Sequence, residues 1–235
     1  MRVLIRTLLP LIGGIACMAG AAFAADAPSL YPTMAAATQY HMASKDEEIA
    51  LARSAAPPSI SADADVLVLG DHGYETVVKG KNGFVCLVLR SWTAGFDDPV
   101  FWNPKIRGPA CLNAAAVRSV LPHILERAQW ASAGVSQSEM LARTKAQLAS
   151  HSYVMPEPGA MCFMMAKGQY LSDNGSHHWH PHVMFYISNE HTVDWGLDVK
   201  GSPIVTGSMA PEPVTIFMVP VEKWSDGTAQ TMEMK

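Results

Sequence analysis

Residues 65–90 read DVLVLGDHGYETVVKGKNGFVCLVLR, three apolar runs separated by two turn signals. Asp65–Gly70 is continuously apolar, Tyr74–Lys79 follows the turn Asp71-His72-Gly73, and Phe84–Arg90 follows Gly80-Lys81-Asn82-Gly83. Runs of this length, rich in Val and Leu and bounded by Gly and Asn, suit strands. Asn-Gly between apolar runs is a hairpin signal, because both residues tolerate positive φ. A three-stranded antiparallel meander is therefore expected.

Helices are expected on both sides of this block. Ser44 and Glu47 have the spacing of a capping box and open a helix through Ile49 and Leu51 that Pro57-Pro58 stops. Downstream, residues 91–113 lack periodicity and read as one long loop whose Trp92, Phe96, Phe101 and Trp102 pin it to a core or line a pocket. Asn113 can cap a helix that buries Val117, Val120, Leu121, Ile124, Leu125 and Ala128, kinked or divided at Pro122 and ended by Gly134. Ser136 with Glu139 opens another, to about Ser150. His123 and His151 are expected on helix surfaces.

Strands return in Ala160–Ala166, His182–Ser188 and Val214–Val221. The order α-βββ-αα-βββ predicts an α+β fold, with an antiparallel sheet of about six strands and helices on one face. That order resembles PAS and Cache sensor domains, which would place a pocket between the sheet and the 91–113 loop. The expected organisation is a signal peptide (1–25), a flexible lead-in (26–43), a single α+β domain (44–224) and a C-terminal tail (225–235).

The 235 residues carry a net charge of −4 and only 16% charged side chains, and no basic excess supports phosphate contacts, so a nucleic-acid binder is not expected. Arg2 and Arg6, an apolar stretch to Ala22 and the small-x-small site Ala22-Phe23-Ala24 have the form of a cleavable signal peptide. An uncleaved anchor, or a lipid on Cys17, fits the same stretch less well. Cleavage moves the charge from −4 to −6 and predicts a periplasmic or secreted protein without a membrane segment. Cys86, Cys111 and Cys162 then meet an oxidising compartment, where one disulfide and one free thiol are expected. Three pairings are open, Cys86 with Cys111 being the first choice for its loop length; burial as small hydrophobes is the other reading.

Four of the nine histidines lie within six residues, His177-His178-Trp179-His180-Pro181-His182. Strand parity sets Val183, Phe185 and Ile187 on one face, expected to be core, and His182, Met184 and Tyr186 on the other. Extended backwards, it brings His178 and His180 to the side of His182. Same-face imidazoles suit a transition metal such as Zn or Cu, with Cys162 or an outside carboxylate completing the set, and Glu157, Asp173, Glu190 and Asp194 flank the cluster as candidates to orient an imidazole or serve as base. Met161, Met164, Met165 and Met184 would favour copper if they faced the site, and are core filler otherwise.

HWHPHVMFY, with NGFVCLV and GAMCFMM before it, resembles a family of exported bacterial proteins to which no activity is attached. Its members carry a comparable Asn-Gly-Phe-x-Cys-Leu-Val hairpin and a Pro-His-x-Met-Phe-Tyr stretch. The resemblance covers most of the chain after the signal segment and implies an exported globular domain. It shifts weight from His180 toward His178 and His182.

No G-x-S-x-G, H-E-x-x-H, C-x-x-C, P-loop or G-x-G-x-x-G motif occurs. The sequence thus predicts an exported module that binds a small molecule or a transition metal through His178, His182 and His180. A histidine-based or metal-dependent enzyme and an interaction domain with incidental histidines are the alternatives. Oligomeric state is not legible.

Overall fold

Three local caps start the helices. In the computed structural model, which describes residues 30–174, 177–196 and 200–231, the Ser44 hydroxyl accepts from the Glu47 amide at 3.2 Å and opens α1, Lys45–Arg53. The expected signal peptide (1–25) with Cys17, the start of the expected lead-in and the end of the expected tail lie outside the described residues. Pro57-Pro58 follows α1 and begins a second short helix, α2 (Pro58–Ser61), where proline at the first position has no amide to waste. Asn113 caps α3 (Ala114–Ser119), Pro122 sits in the first turn of α4 (Leu121–Ser132), and Ser136 caps α5 (Gln137–Ala149). Gly134, at φ +73°, ends α4.

Among the described residues the chain is a mixed α+β fold built on one sheet of eight strands, not about six. They are β1 (Asp65–Gly70), β2 (Gly73–Val78), β3 (Val85–Leu89), β4 (Gly108–Leu112), β5 (Met161–Met164), β6 (His182–Ser188), β7 (Val205–Ser208) and β8 (Val214–Pro220), in the order β2-β1-β3-β4-β5-β6-β8-β7. The expected meander is corrected. β1 and β2 form the hairpin, with Gly70 opposite Gly73, but β3 lies on the other side of β1 and runs parallel to it, Val66 beside Cys86. The reason is the 80–83 loop. Gly80 donates to the Asp65 carboxylate at 2.7 Å, Lys81 to the Asp63 carbonyl at 2.9 Å, and the Asn82 side chain to the Ile60 carbonyl at 2.7 Å. These bonds carry the chain across the start of β1. A Cβ at Gly80 would sit 2.2 Å from the Asp63 carbonyl oxygen, so only glycine permits that crossing.

Helices cover both faces, not one. Val66, Cys86, Val88 and Cys111 pack with Ala52, Ala55 and Ala56 at α1. The alternate residues Leu67, Val85, Leu87, Ala110 and Leu112 pack with Ala116, Leu121 and Ile124 of α3 and α4. Strands buried on both faces read as unbroken apolar runs, which is why β1 and β3 show no alternation. Cys86 and Cys111 are register partners on β3 and β4 and form a disulfide; Cys162 is free and buried.

A third cluster gathers Trp92, Phe96, Phe101 and Trp102 against Tyr40, Ala128 and Met140. The aromatics pin the 91–107 segment to the core, and residues 108–112, expected as loop, are β4. Residues 31–40, read from composition as lead-in, supply Tyr40 to this cluster, its hydroxyl donating to the Trp102 carbonyl at 2.8 Å. No helix among the described residues is long and apolar enough to cross a membrane.

Candidate functional site

The histidine segment enters β6 through a polar loop and is packed around indole rings. His177 sits at φ +63°, exposed, with its ring stacked on Tyr170 at 4.7 Å. His178 is half-buried and meets the Trp224 edge at 6.2 Å. Trp179 lies between His180 and His182, at 5.8 and 4.7 Å between ring centres. His180 Nδ1 accepts from the Gln230 amide at 2.6 Å, so residues of the expected tail close over this segment. His182 Nδ1 donates to the His180 carbonyl at 2.8 Å. Burial lowers the His182 pKa to about 4, outweighing that hydrogen bond, so the ring is neutral at ordinary pH.

The structure thus gathers His180 and His182 on one indole and sets His178 on another. Among the described residues, no group of three His, Cys, Asp or Glu side chains stands where it could hold a metal ion. Cys162 faces the Tyr186 hydroxyl at 3.5 Å, and burial pushes its thiol up to about 12, far from a reactive thiolate. Met164, Met165 and Met184 are buried in the core. Glu157 pairs with Arg118 at 2.6 Å, Asp173 is taken up by Lys105, Asn103, Tyr170 and Tyr31, and Glu190 is exposed; the Asp194 side chain is outside the described residues. The parity of β6 holds, but its core face is corrected in part: Met184 and Tyr186, on the His182 side, join the main cluster, while of the face expected to be core Ile187 is buried and Val183 and Phe185 are half-buried.

A mainly apolar cavity lies elsewhere, between α4 and the strands β6 and β8. It has a volume of about 90 Å³, with Val120, Ile124, Met184 and Ile216 among its walls. His123, expected on the helix surface, stacks flat on Tyr153 at 3.9 Å and donates Nε2–H to the Val154 carbonyl at 2.8 Å, and both rings line the space. A wider cleft of about 760 Å³ adjoins it and shares Tyr153, Pro156 and Tyr186 as walls.

Two charged side chains stand in this apolar wall. Arg127 donates Nη1–H to the carbonyls of Trp92 (3.0 Å) and Ala94 (2.8 Å), lies 4.1 Å over the Phe96 ring, and pairs through Nη2 with Glu212 Oε1. Glu212 is 4% exposed, and no described group donates to its Oε2. Burial and the nearby Glu212 charge both push the Tyr153 phenol pKa upward, so it stays protonated. Sequence reasoning passed over Arg127, Glu212 and Tyr153. One signal was available: Arg127 falls three residues after Ile124, on the buried stripe of α4, where a charge needs a partner. Comparison with protein-family models, with curated proteins and with solved structures yields no match for this chain.

Proposed function

We propose that this protein is an exported small-ligand-binding module whose ligand sits in the cavity between α4 and the β6–β8 strands. The observation that carries the reading is the combination in one wall of an apolar lining and a buried Arg127–Glu212 pair, the usual make-up of a small-molecule site. The Cys86–Cys111 disulfide supports the export half of the proposal, since such bonds persist in oxidising compartments. The class of function is the one the histidines suggested; the location is not.

Methyl NMR with benzene as the probe tests it. Titration should move the methyl signals of Val120, Ile124, Met184 and Ile216 together and saturate. Ile216→Trp, which fills the space, should abolish the response. Shifts centred instead on the 177–182 segment would return the site to the histidines, and shifts scattered over the surface would remove the module reading.

A further inference from the structure

The cavity's charged pair limits what can enter. Arg127 has its Nη1 on two carbonyls, its Nη2 on Glu212 and its guanidinium face on Phe96, so it is not held ready for an anion. Glu212 spends Oε1 on Arg127, and Oε2 is the acceptor to which no described group donates. A buried acceptor without a donor costs on the order of 1–3 kcal/mol, more when charged, so a guest that supplies a donor recovers that cost. The pair is neutral as a whole. A cationic guest would leave net charge buried in an apolar wall, and an anionic guest would face the carboxylate.

We infer that the cavity takes a small neutral molecule with an apolar body about the size of one ring and a single hydroxyl or N–H that donates to Glu212 Oε2. This inference rests on the reading of the cavity as a ligand site. The volume of about 90 Å³ sets the size of the body, and the flat His123–Tyr153 stack offers a planar wall for it. Substituents can extend past Tyr153 and Pro156 into the adjoining cleft.

Phenol, anisole and benzene, titrated into the full chain by calorimetry or methyl NMR, separate the two levels of the proposal. Phenol should bind about tenfold or more tightly than anisole or benzene, as a hydrogen bond to a charged acceptor implies. Glu212→Gln, which keeps an acceptor for Arg127 and replaces the undonated oxygen with an N–H₂ donor, should erase most of that advantage. Equal binding of phenol, anisole and benzene would overturn the Glu212 inference while leaving the cavity as a ligand site. Failure of all of them to bind would remove both. If Glu212→Gln does not fold, the ratio of phenol to anisole in the native protein still decides.

Discussion

Among the described residues two arginine–glutamate pairs are buried, and they are finished differently. Arg90 donates Nη2–H to Glu48 at 2.8 Å, Nε–H to the Tyr40 carbonyl at 2.7 Å and Nη1–H to the Val88 carbonyl. Glu48 Oε1 also accepts the Leu69 amide at 3.1 Å. That pair ties α1, β1, β3 and the Tyr40 segment into one unit. Arg127 is tied as firmly, but Glu212 accepts from Arg127 alone and its buried Oε2 has no described donor, whereas Glu48 takes two donors on Oε1. The same two residue types therefore serve as a doubly bonded clasp in one place and, in the other, as a pair that keeps a buried oxygen without a described donor.

The sharpest way to break this contrast is to remove each carboxylate in turn. Glu48→Ala strands Arg90 in a site with 0% side-chain exposure and also frees the Leu69 amide. Losing one partner of a buried pair costs about 3–5 kcal/mol, and the urea midpoint should fall accordingly. A loss below about 1 kcal/mol would show that Arg90 reaches another partner and that the clasp is not structural.

Acid probes the contrast from a third group. Folded His182 titrates near 4 against 6.5 for an ordinary imidazole, because burial disfavours its charged form. Between those values the unfolded chain binds a proton that the folded chain refuses, so stability present above pH 6.5 is lost as pH falls. The loss should reach about 3 kcal/mol by pH 4. His182→Gln should flatten that slope, whereas Glu212→Gln should leave it in place. If Glu212→Gln flattens it instead, the Arg127–Glu212 pair governs acid stability and the division of roles fails.

What could be read from the residues depended on how local the cause was. Ser44, Asn113 and Ser136 cap helices through bonds three residues long, and Pro122 splits α3 from α4, so the helices were legible. Six of the eight strands were visible as apolar runs, but β4 opens on Gly108-Pro109 and β7 is a short exposed edge containing Gly207. The parallel pairing of β3 with β1 was hidden, because it depends on Asn82 reaching the Ile60 carbonyl, whereas Asn-Gly alone signals a hairpin. The histidines stood out by density, yet the Trp179 between them and Gln230 from the far end of the chain decide how they pack. Arg127 and Glu212 are 85 residues apart, so no window of sequence joins them.

The smallest effect should come from the Arg127–Glu212 pair. Glu212→Ala removes the Arg127 partner, yet Arg127 keeps two backbone carbonyls and the Phe96 face. The cavity beside it also gives water a route to the guanidinium, which a closed core denies. The deletion simultaneously relieves the buried, unanswered Oε2, whereas Glu48→Ala forfeits two donors at once, the Leu69 amide and Arg90, both bonded to Oε1. Stability should therefore fall by roughly 1–2 kcal/mol in urea unfolding, well under the Glu48→Ala loss. An equal loss at both positions would mean that Glu212 is as firmly bonded as Glu48, and the acceptor offered to a ligand would have to be sought elsewhere in the cavity wall.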